Sequence, residues 1–421
     1  MMRLLSSPKL PRRHLLILLP LLLLDIIYLY LRTPPRLPSL STFENSTDVS
    51  WFPHQSKFWH SFAQIVTVTA PKCPRPSLLL NATVSLSHLN GTDEVSNLTK
   101  AQIACLHRSH SLFVDIINLG APHLDSNKGT KGIATIATRS GFPVLLVNLY
   151  MLKSTGSRLA VEVFLGTEDD YKPYMCDIVL PELGAKCIIL SSLLGSSKYA
   201  FEIARPQLWV FAVLFSSFES VLFLAADSFL LNSPDKVFMA DGLVLWPSIE
   251  SSAALPQLSE LIRLDGDLVS GTPAIDHRQI LISKKYHAKT LFVAAYYSIY
   301  NVHYGLLIRQ HINMALAAST MNAPFFKVKK NSRQLGTNSS TSAVIQFDPT
   351  PNLNCTSPCT PPVMTIHTNW LSSETLIALG SFERLWGSEE DSRKISSRDI
   401  EAYVWGSVAK VMGRKDLQFF T

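Results

Sequence analysis

Strand-like segments alternate with helix-like segments between residues 132 and 224, and this alternation constrains the fold more than any other feature. The apolar runs typical of strands are residues 132–137, 159–165, 185–190 and 221–224. Apolar residues recur at helical spacing between them, in residues 142–154, 172–183 and 206–217. Strands and helices that alternate in this way predict βαβ units around a mostly parallel sheet. The sequence therefore predicts an α/β, Rossmann-like fold.

The rest of the chain is less regular. Further strands are predicted at residues 242–247, 278–282 and 363–367, and helices at residues 100–111, 289–300 and 397–412. Residues 331–342 are polar and are interpreted as a loop. Residues 33–76 are rich in Pro, Ser and Thr and lack a long apolar period, which is typical of a linker or stem. With 421 residues, 47% of them hydrophobic, the chain can bury a large core.

Residues 15–31 are almost entirely apolar, interrupted only by Pro20 and Asp25. A helix of about 17–25 residues spans a bilayer. Basic residues precede the segment, among them Arg12 and Arg13, and they favour a cytoplasmic N-terminus. A cleaved signal peptide is the alternative, but residues 32–36 lack the small residues of a cleavage site. The prediction is a short signal anchor with the rest of the chain in the lumen.

Glycosylation sequons and cysteines agree with a lumenal location. The sequons are at Asn45, Asn81, Asn90, Asn97, Asn338 and Asn354. The cysteines are Cys73, Cys105, Cys176, Cys187, Cys355 and Cys359. An oxidising lumen favours pairing, and Cys176 with Cys187 and Cys355 with Cys359 are the nearest pairs, but sequence alone leaves the connectivity open.

The net charge of +6 is spread along the chain. No dense basic stripe interleaved with aromatic residues is present, so the sequence gives no support for a nucleic-acid partner. The modest excess of Lys and Arg suits an anionic substrate or a membrane surface.

Asp227 is the first acidic residue after the apolar run 221–224. Such a run is typical of a parallel strand that is buried on both faces. Ligands of open α/β sheets bind beyond the carboxyl ends of the strands, where an aspartate can hold a divalent cation against nucleotide phosphates. Ala225 stands where the first acidic residue of an Asp-X-Asp motif would be. The alternative role for Asp227 is simply to cap the next turn.

Several blocks of residues, in a shared order, resemble one family. The blocks are Lys131-Gly132-Ile133, Leu159-Ala160-Val161-Glu162-Val163-Phe164, Gly184-Ala185-Lys186-Cys187, Leu214-Phe215-Ser216-Ser217-Phe218-Glu219, Leu222-Phe223-Leu224-Ala225-Ala226-Asp227-Ser228, Gly242-Leu243-Val244-Leu245-Trp246-Pro247, Gln279-Ile280-Leu281-Ile282, Lys289-Thr290-Leu291 and Ala295-Tyr296-Tyr297. They resemble the fungal Golgi α-mannosyltransferases of glycosyltransferase family 71, over residues 128–367.

The resemblance implies a GT-A-like fold, GDP-mannose as donor, Mn²⁺ as cofactor and a mannan or N-glycan acceptor. It also implies type II topology in the Golgi membrane. The expected organisation is a cytoplasmic tail (1–14), a signal anchor (15–31), a lumenal stem (32–127) and a GT-A-like catalytic domain (128–421).

Asp227 and His367 are the metal ligands that the resemblance implies, because related enzymes place a late histidine at a strand end. For His367 the alternative is an ordinary core or surface histidine. Asp276 and Gln279 align with the family's Glu-Ser-Gly-Gln block near the acceptor or sugar, which makes them candidate catalytic residues. Turn formation is the alternative role for both.

Three further residues are candidates for binding the nucleotide. Lys131 and Gly132 belong to a glycine- and lysine-rich segment that could bring backbone amides and positive charge to it. A solvated loop is the alternative for that segment. Arg205 precedes the predicted helix 206–217 and could reach phosphate, with a surface arginine as the alternative.

The chain departs from the family pattern in three places. Ala225 removes a metal carboxylate, the Glu-Ser-Gly-Gln block becomes Asp276-His277-Arg278-Gln279, and residues 305–317 contain none of the family's acidic residues. Three hypotheses follow: an active or weakened mannosyltransferase, a catalytically impaired paralogue that assists other Golgi mannosyltransferases, and a lumenal binding protein without a nucleotide site.

Overall fold

The computed structural model describes residues 51–74, 99–239, 242–249, 261–262, 274–304, 314–336, 342–350, 361–368, 384–396, 398–414 and 417. The unit Pro53–Thr421 is compact. The predicted anchor 15–31, the six sequons, Cys355 and Cys359 lie outside the described residues. Within the described part, no helix is both long and apolar enough to cross a membrane.

The strands form two sheets. Their bounds are β1 Asn127–Ala137, β2 Ala160–Leu165, β3 Ala185–Ile189, β4 Phe218–Leu224, β5 Ser228–Leu230, β6 Leu243–Pro247, β7 Ile275–Ser283, β8 Phe326–Lys327, β9 Arg333–Leu335, β10 Ala343–Phe347 and β11 Val363–Thr368. The main sheet has the order β3-β2-β1-β4-β7-β6-β8, and the smaller one the order β5-β11-β10-β9. Strands β1 to β4 are parallel, whereas β7 is antiparallel to both β4 and β6. The predicted α/β fold with a mostly parallel, Rossmann-like sheet is therefore confirmed.

The order of the strands reverses beside β1. From β1 the chain adds β2 and β3 on one side, and then returns to place β4 on the other side. Ala134 of β1 pairs with Phe223 of β4, so the carboxyl ends of these two neighbours lie at the same edge. A reversal of this kind opens a crevice beyond the strand ends, which is where open α/β sheets bind ligands.

Helices cover both faces of the main sheet. Their bounds are α1 Trp51–Val68, α2 Lys100–Gly120, α3 Phe142–Ser154, α4 Leu190–Leu194, α5 Leu208–Phe215, α6 Lys284–Ile299, α7 Asn301–Tyr304, α8 Met314–Thr320, α9 Glu389–Ile395 and α10 Ile400–Met412. A π-helical segment, Tyr174–Val179, continues into a helical turn, Leu180–Glu182. Side chains of α3 and α10 share one apolar core with Leu222 and Leu224 of β4. On the opposite face, Trp209 of α5 contacts Phe223 of β4.

Local sequence explains the bounds of α3, which are the bounds predicted for the helix at residues 142–154. Pro143 stands in the first turn of α3, where a missing N–H costs nothing. The helix ends at Ser154, and Gly156 follows with a φ of +81°, a conformation that glycine adopts without strain.

Two predictions of irregular structure are wrong. Residues 51–68 fall within the predicted linker, yet they form the helix α1, whose residues Phe58, Trp59 and Phe62 are buried. The abundance of Pro, Ser and Thr in residues 33–76 favoured a linker, although apolar residues recur at helical spacing within this segment. Residues 333–335 fall within the predicted loop 331–342 and form the strand β9. Its pairing with β10 supplies the hydrogen bonds, so a polar sequence suffices.

The stem predicted for residues 32–127 also contains α2, which packs into the same compact unit as the sheet. Phe113 of α2 stacks on Tyr296 of α6 with ring centroids 4.1 Å apart. A disulfide joins Cys73, which follows α1, to Cys105 within α2. A second disulfide, Cys176–Cys187, ties the π-helical segment to β3. The compact unit therefore begins near Pro53, well before residue 128.

Candidate functional site

A cavity of about 500 Å³ lies at the carboxyl ends of β1, β2 and β3. Its lining includes Ile136, Thr138, Gly166, Thr167, Ser191 and Arg205. Small-molecule sites typically have volumes of about 300–1,000 Å³. Both the size and the position of the cavity match a ligand site at the strand-order reversal.

A buried carboxylate shapes one wall of this cavity. Asp170 accepts hydrogen bonds from the backbone N–H of Arg139, at 3.0 Å, and of Thr167, at 3.4 Å. These bonds hold the segment after β1 against the segment after β2. The Asp170 side chain is therefore engaged in supporting the cavity wall.

Asp227 lies in the turn between β4 and β5. The turn is closed by the Ser228 N–H, which donates to the Ala225 carbonyl at 2.9 Å. Asp227 is half-buried. Burial raises the pKa of its carboxyl group, while the positive charge of Arg278 acts in the opposite direction. The predicted position of Asp227, at the carboxyl end of a buried strand, is confirmed.

Arg278 stands directly across from Ala225. Leu224 pairs with Gln279 in the antiparallel β4–β7 ladder, and the next N–H, that of Ala225, donates to the Arg278 carbonyl at 2.8 Å. Residues opposite one another in such a hydrogen-bonded pair have Cα atoms about 5.5 Å apart. A permanently charged guanidinium is therefore the cross-strand neighbour of the position that lacks a carboxylate.

His367 and Asp276 form a buried pair between the two sheets. The His367 Nε2 lies 3.6 Å from the Asp276 Oδ2, and the Gln346 Nε2 donates to the same oxygen at 2.8 Å. Burial lowers the pKa of His367 to about 4, although Asp276 opposes this. The Thr365 hydroxyl donates to the Gln279 Oε1 at 2.5 Å. Asp276 and Gln279 thus both bind side chains of the smaller sheet.

The residues present do not fit the expected Mn²⁺ site. Among the described residues, no group of three or more His, Cys, Asp or Glu side chains is arranged to hold a metal ion. Ala225 provides no ligand atom, and the His367 imidazole is buried beside Asp276. A manganese ion held by Asp227 and His367 therefore lacks the oxygen-rich ligand set that such an ion takes from a protein.

The remaining predicted nucleotide-binding residues do not lie together. Arg205 lines the cavity. Lys131 and Gly132 lie in the middle of β1, about 16–20 Å of strand before its end at Ala137. The Lys131 Nζ donates to the Phe238 carbonyl at 3.2 Å. The structure does not bring these two residues together with Asp227.

Apart from Arg205, the sequence indicated neither the residues that line the cavity nor Arg278 as site residues. Thr138, Gly166 and Ser191 follow three different strands, and only the parallel register brings them together. In the sequence, Arg278 stands out only as part of the altered Glu-Ser-Gly-Gln block. The available signal was the joint occurrence of Ala225 and Arg278, but their proximity depends on a register that sequence does not reveal.

Comparison with known proteins finds similarity to mannosyltransferases. A family described as "Mannosyltransferase putative" matches residues 130–265. The α-1,2-mannosyltransferase MNN21 of Candida albicans is 29% identical over 263 residues, which cover 51% of this chain and 40% of that protein. The α-1,2-mannosyltransferase MNN5 of Saccharomyces cerevisiae is 24% identical over 301 residues, covering 56% and 51%. Residues 130–265 are therefore similar to this mannosyltransferase family.

The chain spans about half or less of the length of those relatives. Among solved structures, the glycosyltransferase GlyE of Streptococcus pneumoniae is 10% identical with a TM-score of 0.32, over 48% of this chain and 45% of that one. Mouse xyloside xylosyltransferase 1 is 11% identical with a TM-score of 0.30, over 46% and 81%.

Proposed function

We propose that this chain is an α-mannosyltransferase that transfers mannose from GDP-mannose to mannan or N-glycan chains in the Golgi. One observation carries the proposal. The segment that matches the mannosyltransferase family, residues 130–265, contains most of β1, all of β2 to β4 and nearly all of the cavity at the carboxyl ends of β1 to β3. The similarity to the family and the position of the cavity thus point to the same edge of the sheet.

The chain's own residues supply several of the functions that such a site needs. The cavity is large enough for the nucleoside part of a donor, and Arg205 at its wall provides a cation for phosphate. In the transfer, the bond between the anomeric carbon and the diphosphate oxygen breaks, and GDP keeps the electron pair. The acceptor hydroxyl forms the new bond and releases its proton to solvent. Cationic side chains near the departing diphosphate stabilise its growing charge.

Blocking the cavity tests the donor site. Ser191 lines it, whereas the neighbouring Ser192 is exposed and does not. We expect Ser191→Phe to weaken GDP binding by at least about tenfold, about 1.4 kcal/mol, and Ser192→Phe to leave it unchanged. Calorimetric titration of both variants measures this. Equal affinities in the two variants would place the donor elsewhere.

Turnover tests the reaction. Release of GDP from GDP-mannose, measured in the presence of an α-mannoside acceptor, is expected for the wild-type chain. The second candidate, an impaired paralogue that assists other mannosyltransferases, is favoured by Ala225 and by the absence of acidic residues from 305–317. GDP-mannose binding without turnover would establish that candidate instead.

The proposed location is the Golgi membrane, with residues 15–31 as a type II anchor and the rest in the lumen. The support is the apolar segment with its basic flank and the sequons that follow it. Enzymatic removal of N-glycans should reduce the apparent mass of the chain, and carbonate extraction should leave it in the membrane pellet. An unglycosylated, extractable chain would contradict this topology.

A further inference from the structure

Arg278 and Ala225 lie on the cavity side of the main sheet. Successive side chains of a strand point to opposite faces, and directly opposite residues share a face. Leu222 and Leu224 point into the core formed with α3 and α10. Ala225 therefore points the other way, with Phe223, which contacts Trp209 of α5. The first residue of α5, Leu208, lines the cavity.

The same alternation holds in the neighbouring strand. In β1, Ile133 belongs to the core on the α3 side, whereas Ile136 and Thr138 line the cavity; Ala137, the last residue of the strand, contacts both. Strands β1 and β4 are adjacent and parallel. The end of β4, with its cross-strand partner Arg278, is therefore next to the cavity along the carboxyl edge, on the same face.

The charge of Arg278 is available for an anion. Its side chain is half-buried, and among the described residues it forms no ion pair with a carboxylate. Its positive charge nevertheless acts on Asp227 and on His367, which places it at the junction of the two sheets. A guanidinium at this junction offers several N–H donors to an anion bound beyond β4.

We propose that Arg278 binds the donor diphosphate directly and takes the role of a protein-held divalent cation. This inference rests on the proposed donor site. It is motivated by two departures from the family pattern, at residues that face each other across the β4–β7 ladder. Ala225 lacks the carboxylate that would bind a metal, and Arg278 beside it supplies a permanent positive charge. Arginine suits the role, since its planar guanidinium donates two parallel hydrogen bonds to phosphate oxygens. Nucleotide binding by this chain is then independent of Mn²⁺.

Calorimetric titration of the purified full-length chain with GDP tests the proposal. The wild-type Kd should be the same in Mn²⁺ as in EDTA. Arg278→Gln should weaken GDP binding by at least about tenfold, about 1.4 kcal/mol, because charged hydrogen bonds typically contribute that much or more. Arg278→Lys, which keeps the charge, should recover part of the affinity. Guanosine, which has no phosphate, should bind Arg278→Gln as well as it binds the wild type.

Arg158 provides the matched control. It is exposed and precedes β2 at the opposite edge of the sheet, so Arg158→Gln makes the same charge change away from the cavity. We expect wild-type GDP affinity for this variant. Thermal unfolding of each variant shows whether its fold is retained.

A double variant tests the proposal through a gain of Mn²⁺-dependent binding instead of a loss of binding. The double variant Ala225→Asp with Arg278→Gly restores a carboxylate and removes the guanidinium. It should bind GDP more tightly in Mn²⁺ than in EDTA, unlike the wild type.

Three outcomes would overturn the proposal. A wild-type affinity that falls in EDTA and returns with Mn²⁺ would show that the chain does hold a metal. Equal GDP affinities for Arg278→Gln and Arg158→Gln would remove Arg278 from the site. Absence of both guanosine and GDP binding by the wild type would refute the donor site itself, which is a distinguishable failure of the proposed function.

Discussion

At the scale of single residues, Gly132 shows that a residue shared with a family need not bind the substrate. A Cβ atom added there would lie 2.2 Å from the ring of Phe218, which packs directly on the backbone of β1. The glycine thus permits close packing of two adjacent strands. This packing accounts for Gly132 without any contact to a nucleotide.

Gly132→Ala is expected to destabilise the fold by about 1–3 kcal/mol, the usual cost of an overpacked core. Gly406 is the matched control, because a Cβ there meets nothing within 4 Å. It lies inside α10, where alanine is favoured over glycine by about 1 kcal/mol, so Gly406→Ala should stabilise. Urea unfolding of both variants measures whether each substitution lowers or raises the free energy of unfolding. A stabilising Gly132→Ala would contradict the packing that we describe.

Buried histidines give the chain a defined sensitivity to acid. Burial lowers the pKa of His110 from 6.5 to about 3, and its Nε2 lies 2.9 Å from the Tyr297 hydroxyl. The folded state therefore keeps His110 neutral while the unfolded chain takes up a proton below pH 6.5. Stability is complete above that pH and is lost as the pH falls towards 3.

We expect the free energy of unfolding to fall more gently with decreasing pH in His110→Gln than in the wild type. One protonation difference corresponds to about 1.4 kcal/mol per pH unit. Urea unfolding between pH 6 and 4.5 measures the difference between the two proteins. An unchanged slope in His110→Gln would show that this imidazole is protonated in the fold.

At the scale of secondary-structure elements, a buried charged network joins β2, β4 and α6. Glu162 of β2 is fully buried and accepts a hydrogen bond from the Ser217 N–H at 3.0 Å. Lys284, the first residue of α6, donates to the carbonyls of Leu214 and Ser216. Burial lowers the pKa of Lys284 to about 7, and the negative charge of Glu162 counteracts this. The network fixes the segment that leads into β4.

Glu162→Ala should destabilise the protein by about 3–5 kcal/mol, because it leaves buried donors and a buried cation without compensation. Glu162→Gln keeps an acceptor for Ser217 and should cost less. Glu168 is exposed, and its change to Ala should alter stability by no more than about 0.5 kcal/mol. Chemical unfolding of the three variants ranks them by their loss in free energy of unfolding. A tolerated Glu162→Ala would mean that the network contributes little.

At the scale of the whole molecule, the helices α1 and α2 are part of the globular unit. Phe58 of α1 stacks on Phe292 of α6 with centroids 5.4 Å apart, and Phe62 contacts Phe113 of α2. Without these two helices, the aromatic face of α6 would be exposed to water. Large apolar areas of that kind destabilise a domain and promote aggregation.

A chain truncated to residues 51–421 is expected to fold, whereas one truncated to residues 128–421 is not. Each buried aromatic residue that is lost typically costs about 3–5 kcal/mol, and α1 and α2 together contribute several. Near-ultraviolet circular dichroism and limited proteolysis distinguish the two products. A cooperative, protease-resistant fold of residues 128–421 would show that both helices are dispensable.

The sequence by itself determined the α/β class, the succession of β1 to β4 along the chain and the position of Asp227 after β4. These follow from local patterns, since apolar periodicity and turn residues act over a few positions. Only the tertiary structure placed α1 and α2 in the core and set Arg278 opposite Ala225. Those contacts join residues far apart in the chain, and a shift of one residue in strand register would turn Arg278 to the other face. The charge that stands beside the missing carboxylate is thus a property of the folded chain.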